Sequence, residues 1–313
     1  MQLIRGLAHL EPLQHGCVLT IGNFDGLHLG HRAVIEKLAA HGKRLGLPVV
    51  VLLFEPQPLE YFLGENAPSR LTRLREKTIQ FAKLPVDQLL VLRFNRHLAN
   101  YRAEDFIKDI LIAKLNVKYL VIGDDFHFGK ARRGNFAMLK EAGRNFGFQL
   151  EDTHSYELNG MRISSTLIRD ALGEGNLALA AKMLGRDYSV CGRVAHGDKR
   201  GRTIGFPTAN IEMFRNNTPI IGVYAVTMTG IDDQEYVGVA NVGTRPTVDG
   251  GAKVILETHL FDFHREIYGA YVEVHFKRKI RDEMCFQSLQ QLKQQIDRDV
   301  LQAKKIFADL NKT

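Results

Sequence analysis

Residues 22–31 read GNFDGLHLGH, with histidines at 28 and 31, glycines at 22, 26 and 30, and one aspartate at 25. The apolar run CVLTIGNF (17–24) leads into this decapeptide as a strand, and a helix is expected to open near His31. A strand that turns through glycines into a helix is the unit of an open parallel sheet, and its turn lies at the carboxyl edge, where ligands bind. No GK[ST] follows the glycines and their spacing is not GxGxxG, so neither the P-loop nor the dinucleotide fingerprint applies. The residue types still suit phosphate: N–H groups at a helix start attract anions, glycines let an anion reach the backbone, and imidazoles donate to non-bridging oxygens. Such a site stabilises the charge that accumulates on a phosphate under attack. Alone, an HxxH pair reads as structural or solvated histidines; its setting between strand, Gly-rich turn and helix favours the functional reading.

Outward from this stretch the β–α alternation continues. VVVLLF (49–54), QLLVLRF (88–94), KYLVIG (118–123) and FGFQLE (147–152) read as strands, several apolar on both faces, with helices near 31–42, 70–83, 103–115 and 135–146. This pattern predicts an α/β domain with a mainly parallel sheet and helices on both faces. After residue 186 the texture changes to short strand-like runs, YSVCGRV, GVYAVTMTG, EYVGVANVG, KVILETHLFDF and AYVEVHF, separated by turn signals such as GDKRG, IDDQ and VDGG. That is the signature of an antiparallel barrel or sandwich. The last stretch, FQSLQQLKQQIDRDVLQAKKIFADL, carries helical spacing of apolar residues and is expected to pack as one helix against the β-rich half. The helical segment NLALAAKMLGR (176–186) reads as the connector, which divides the chain into domains 1–185 and 186–313.

The 313 residues suffice for two cores, and 45% hydrophobic with 25% charged residues describes an ordinary globular protein. No apolar run approaches the roughly 20 residues of a membrane span, and the start MQLIRGLAHLEPL lacks a signal-peptide core, so a cytoplasmic protein without membrane attachment is expected. Cys17, Cys191 and Cys285 are odd in number and far apart, which excludes a disulfide framework or zinc cluster and predicts small buried thiols. The net charge of +7 suits nucleic acid or small anionic substrates equally. With no nucleic-acid-binding motif and no long basic run, no nucleic-acid partner is expected.

Three more stretches bear on the first half. FEPQP (54–58) follows the second strand and reads as a plain loop or as a Pro-rich turn shaping a pocket. GDDFHFGKARRGN (123–135) is a Gly-bounded polar loop after the fourth strand. RISSTLIRDAL (162–172) combines a helix-capping serine with Arg169 about one turn on, a second phosphate cradle. HLGH resembles the HxGH signature of the nucleotidyltransferase superfamily, and GNFDGLHLGH its FAD synthetase branch. GDDFHFG resembles that family's GxDFxFG loop, and ISSTLIR the ISSTxxR motif that faces HxGH across the ATP phosphates. The resemblance implies a Rossmann-like domain in which Gly22, Asn23, Phe24, Asp25, Gly26, His28, Gly30, His31, Ser164, Ser165, Thr166 and Arg169 hold ATP. His28 and His31 would stabilise adenylyl transfer without a covalent enzyme intermediate, while Phe54, Pro56, Pro58, Asp125, Phe126, Phe128 and Arg132 would hold flavin.

In the β-rich half, GRVAHGDKRGRTIGFPTANI (192–211) sets Gly192, Gly197, Gly201 and Gly205 among the basic residues Lys199, Arg200 and Arg202. Thr208 and Asn210, two apart on an extended chain, present oxygens on one side and make half of a hard-cation site. By itself PTAN reads as a turn with hydroxyl and amide hydrogen bonds. In KVILETHLFDF, alternation places Glu257 on the face of Ile255 and Phe261, with Val254 and Leu256 opposite, and a carboxylate there is suited to orienting and deprotonating an acceptor hydroxyl. The whole stretch resembles the riboflavin kinase signature GxAxxGxxxGxxxGFPTAN, and ETHLFDF its ExHLxDF strand. That resemblance implies a C-terminal riboflavin kinase barrel in which Gly192, Gly197, Lys199, Gly201, Thr203, Pro207, Thr208 and Asn210 bind ATP, and Thr208 and Asn210 hold Mg2+. Glu257 would be the base, and Glu257 and Arg281 would bind flavin.

Together the resemblances imply a bifunctional enzyme that phosphorylates riboflavin to FMN and adenylylates FMN to FAD with release of pyrophosphate. Its substrates would be riboflavin, FMN and ATP, its cofactor Mg2+ with ATP as co-substrate, and its expected state a monomer.

Overall fold

The structure, a computed structural model, describes all residues except 124, 154–155, 159, 197–204, 216, 247–251, 311 and 313, and describes the backbone alone at 158, 245–246 and 252–253. It separates into two compact units, residues 1–68 with 72–164 and residues 69–71 with 165–313.

The first unit is a six-stranded parallel sheet of β1 (Gln2–Arg5), β2 (Cys17–Ile21), β3 (Val49–Glu55), β4 (Gln88–Arg93), β5 (Val117–Ile122) and β6 (Gln149–Asp152), in the order β1-β4-β3-β2-β5-β6. Its helices are α1 (Leu29–Leu45), α2 (Pro58–Leu63), α3 (Leu74–Phe81), α4 (Arg96–Ala99), α5 (Ala103–Asp105) and α6 (Phe136–Phe146), and α5 runs on into a π-helical segment, Phe106–Lys114. The strands are apolar on both faces because both are covered. Leu19, Val50, Leu52 and Leu120 pack with Ile110 and Leu139 on one side. Val51 and Leu53 pack with Ile35 and Phe81 on the other, beside Val18, Val121 and Leu38. From β2 the chain steps through β3 to β4 in one direction, then places β5 on the opposite flank of β2. The carboxyl ends of β2 and β5 therefore form the switch point of the sheet, where diverging loops leave a crevice.

Two parts of this unit differ from the sequence expectation. The sheet was expected to begin at residue 17, but Gln2–Arg5 pairs parallel with β4 as an edge strand too short and too mixed in burial to show a period. FEPQP is neither loop nor turn alone: Pro58 is the first residue of α2, capped by Gln57, whose N–H donates to Glu60 Oε2 at 2.8 Å. A two-residue-strand hairpin, β7 (Glu157–Leu158) with β8 (Met161–Arg162), follows the sheet.

In the second unit α7 (Ser165–Gly173) and α8 (Leu177–Leu184) precede a closed antiparallel barrel. Its strands are β9 (Ser189–Ala195), β10 (Ala209–Glu212), β11 (Gly222–Thr229), β12 (Tyr236–Pro246), β13 (Ala252–Leu260) and β14 (Tyr271–Arg281). They run in the order β10-β13-β12-β11-β14-β9, and β9 closes on β10, which leaves no open edge. Ala209 and Asn210 of PTAN thus begin β10, while Pro207 and Thr208 lead into it. Gly192 makes the closure possible, since a Cβ there would meet Ile211 Cγ2 at 2.4 Å and the Glu212 carbonyl oxygen at 2.5 Å. The C-terminal helix α9 (Leu289–Leu310) sets Ala303 and Ile306 against Val223, Ala225, Val239 and Phe261 on the barrel wall.

The expectation of three buried thiols is corrected at one position. Cys17 and Cys191 are buried, but Cys285 is exposed in the segment between β14 and α9. Burial pushes the Cys17 thiol up to about 12, and its Sγ donates to the Leu115 carbonyl.

Candidate active sites

The decapeptide forms the loop between β2 and α1, at the switch point. Phe24 and Leu27 take left-handed φ values of 47° and 43°, a conformation that costs energy in non-glycine residues and marks a loop held by its surroundings. What holds it is visible. Asp25 Oδ1 accepts from the Thr72 N–H at 3.0 Å and from Thr72 Oγ1 at 3.2 Å, while the Gly26 N–H donates to Thr72 Oγ1 at 2.9 Å. Asp25, read from the sequence as a nucleotide-binding residue, is thus buried against the residue that braces the loop.

The helix begins two residues before His31, with His28 as its N-cap. His28 Nδ1 accepts from the His31 N–H at 3.3 Å, so in the neutral ring the proton sits on Nε2. The two imidazoles stack with centroids 3.6 Å apart and planes 17° apart. Gly30 permits this: a Cβ there would lie 3.2 Å from His28 Nδ1 and 3.3 Å from the Tyr156 Cβ. The His31 pKa lies well below the ordinary 6.5, first because burial penalises the imidazolium and then because His28 and Lys77 repel it. Phe24 covers its ring at 5.0 Å, and His31 Nδ1 is buried without a hydrogen-bond partner.

Beside this loop opens a cavity of about 650 Å3, bounded by the ends of β2, β3 and β5. Of the residues predicted to hold flavin, Phe54, Pro58, Asp125, Phe126, Phe128 and Arg132 line it, together with Gly22 and Asn23; Pro56 stands outside the lining. Phe126 and Phe128 lie nearly parallel, with centroids 5.6 Å apart. Gly134 gives the second ring room, since a Cβ there would lie 2.6 Å from Phe128 Cζ. Phe62, Phe94, Leu98, Tyr101 and Phe106 also line the cavity and were not singled out in the sequence. They come from α2, the β4–α4 region and the π-helical segment, and only the fold gathers them; Gln57–Pro58–x–Glu60, a legible helix start, was the one available signal.

Ser164 ends the first unit's chain, and Ser165, Thr166 and Arg169 lie in α7 of the second. Arg169 Nε donates to the Ser69 carbonyl at 2.6 Å.

In the barrel, Asn210 of β10 and Glu257 of β13 are direct cross-strand partners, and Asn241 of β12 faces Glu257 from the other side. Directly opposed side chains on neighbouring strands have Cβ atoms roughly 5 Å apart, so these three make one polar cluster. Alternation along β13 is as read for four residues, with Val254 and Leu256 buried and Ile255 and Glu257 half-buried on the other face; Phe261, read onto the Glu257 face, instead lies past the strand's end and is buried with Ala303 and Ile306 of α9. Thr208 lines a cavity of about 70 Å3 with Thr258, Phe263 and Tyr268. The Pro207 carbonyl before it accepts from His259 Nδ1 at 2.9 Å. Gly197, Lys199, Gly201 and Thr203, with Arg200 and Arg202, lie outside the described residues. Arg281 holds a carboxylate in the folded chain: its Nε and Nη2 bind Asp299 of α9 at 2.8–3.1 Å, and Nη1 donates to the Asp282 carbonyl at 2.8 Å. In this structure it clamps the helix to the barrel.

Residues 10–167 match the FAD synthetase family and residues 184–307 match the riboflavin kinase family. An Escherichia coli K12 protein named bifunctional riboflavin kinase/FMN adenylyltransferase is 50% identical over 308 residues, covering 98% of each chain. The chain belongs to the bifunctional riboflavin kinase/FMN adenylyltransferase family. A Haemophilus influenzae member is 52% identical over 307 residues, covering 98% of this chain and 99% of its own. The crystal structure of a Streptococcus pneumoniae protein named as a macrolide-efflux protein shares the architecture, with a TM-score of 0.80, 31% identity and coverage of 96% and 97%. Among the described residues of this family member, no helix is long and apolar enough to cross a membrane.

Proposed function

We propose that the second unit transfers the γ-phosphoryl group of ATP to the riboflavin 5′-hydroxyl, giving FMN and ADP. The FMN phosphate then attacks the α-phosphorus of another ATP in the first unit, giving FAD and pyrophosphate. The observation that carries this reading is that each family match contains its own phosphate-handling constellation, the stacked His28–His31 pair in one and the Asn210–Glu257 pair in the other.

In adenylyl transfer, His28 offers its Nε2–H and α1 its first backbone N–H groups to the phosphate that gains charge. Neutral His31, stacked on His28, fixes that ring's orientation. The aromatic cavity takes the isoalloxazine, with Phe126 and Phe128 as walls and Arg132 toward the flavin phosphate. In phosphoryl transfer, Glu257 orients the 5′-hydroxyl and accepts its proton. The donor set suits a hard cation, because Thr208 and Asn210 contribute hydroxyl and amide oxygens and, among the described residues, no cluster of three His, Cys, Asp or Glu competes. Thr208 and Asn210 would hold Mg2+ with ATP oxygens, and the ion supplies neutralisation of phosphate charge. We place the division of labour at residue 185/186 and the enzyme in the cytoplasm as a monomer.

The test is chromatographic: protein with riboflavin, ATP and magnesium should yield FMN first and FAD after it. His28→Ala should stop FAD formation and leave FMN formation, while Glu257→Ala should stop FMN formation and spare FAD formation from supplied FMN. Loss of both activities in either folded variant would overturn the division between two sites.

A further inference from the structure

Lys77 is the least expected charge in the first unit. Only 2% of its surface is exposed, and it stands among the largest fully buried side chains of the protein. A buried ammonium is costly to desolvate and persists only where hydrogen bonds and fields compensate it. Its Nζ donates to the Asn23 carbonyl at 2.7 Å. Asn23 belongs to the loop in which Phe24 and Leu27 hold left-handed backbones, and the same loop is gripped at Asp25 and Gly26 by Thr72, five residues before Lys77. Thr72 and Lys77 therefore splint the loop from behind at Asn23, Asp25 and Gly26, with Lys77 as the charged end. That charge also reaches the histidine pair, because it is one of the two that repel a proton on His31; the other is His28.

We infer that Lys77 is a positioning residue for adenylyl transfer: through the Asn23 carbonyl it fixes the loop that presents the His28–His31 pair, without touching the reacting atoms. The inference rests on the function proposed above for the first unit. Two separable effects follow. Geometric loss slows the adenylyl step, since a displacement near 1 Å at a reacting centre costs as much as about a hundredfold in rate. Electrostatic loss lets His31 take up a proton more readily. The groups bearing on His31 are His28, stacked on it, Lys77 from α3, and the uncharged Phe24 ring.

The experiment compares the full-length wild type with Lys77→Met, which keeps most of the apolar stem and loses the charge, and Lys77→Arg, which keeps the charge. Formation of FAD by the wild type tests the underlying reading; the variants test Lys77. Lys77→Met should form FAD at least about tenfold more slowly at saturating FMN and ATP. Its FMN formation, which reports the folded second unit, should stay within about twofold. The acid limb of its pH–rate profile for FAD formation, and the titration of the His31 ring followed by NMR, should both move to higher pH, and Lys77→Arg should return that titration toward the wild-type position. Unchanged FAD formation with an unchanged His31 titration in Lys77→Met would overturn the inference. So would a loss of FAD formation with no movement of the titration, because a purely structural lysine gives that result.

Discussion

The pairing of Arg281 with Asp299 offers a direct measure of what holds the C-terminal helix on the barrel. The Asp299 side chain is 4% exposed and that of Arg281 17%, and two guanidinium nitrogens reach the carboxylate at 2.8–3.1 Å. Gln295 Nε2 adds a bond to Asp299 Oδ1 at 2.9 Å. Removing one partner of such a pair leaves a charge with no counter-ion in a largely dry setting, at a cost of about 3–5 kcal/mol, whereas replacing both with apolar residues of similar volume is often neutral. Asp299→Ala should therefore destabilise the second unit by about 3 kcal/mol, and Arg281→Met/Asp299→Leu should recover most of that loss. The assay is urea unfolding followed through loss of FMN formation, which reports this unit alone, with the two single variants and the double variant forming a cycle. Additivity within about 0.5 kcal/mol would refute the clamp, since residues joined in one ion pair must couple. The same variants separate the two tasks considered for Arg281. If it binds flavin, the double variant stays defective in its KM for riboflavin even where its stability returns; if it is the clamp, KM returns with stability.

Two further outcomes are expected. Gly30→Ala brings a methyl group to 3.2 Å from His28 Nδ1; FAD formation measured in steady state should fall by about ten- to a hundredfold, while the stability of α1 is unchanged or improves by up to about 1 kcal/mol. The pKa of His31 is depressed in the folded chain from 6.5, so below that pH the unfolded chain binds the proton more readily. Stability contributed by neutral His31 is thus present above about pH 6.5 and is lost as pH falls, by about 1.4 kcal/mol per pH unit until the folded pKa is reached. Replacing His31 with Asn should flatten that slope in urea unfolding of the first unit, and an unaltered slope would show that another group carries it.

Much of the architecture was legible because it rests on local signals. β2, β3 and β5 are apolar on both faces, so their alternation with amphipathic stretches identified a covered parallel sheet. Alternation in KVILETHL placed Glu257 opposite Val254 and Leu256 without any coordinates. The four residues of β1 were missed, and those of β10 were read as extended chain but not as a paired strand, because neither is long enough to display a period and each is a strand only through its partners, β4 for one and β9 and β13 for the other.

The sites divide along the same line. His28, His31, Thr208, Asn210 and Glu257 stood out by residue type and spacing, since phosphate and cation chemistry demand few residue types within a short stretch. Asp25 and Arg281 carry the same chemistry, and in the folded chain Asp25 also holds Thr72 and Arg281 also holds Asp299, partners that no local spacing discloses. Phe62, Phe94, Tyr101 and Phe106 meet across separate elements in one cavity, and Lys77 becomes a buried brace only when α3 packs behind the loop. Element types, the two textures and the phosphate-handling motifs are local properties of the chain, because propensity, periodicity and capping act over a few residues. The strand order that puts β2 beside β5, the register that pairs Asn210 with Glu257, and the partners that claim each buried charge were decided by tertiary structure alone, because they depend on residues distant in the chain competing for the same space.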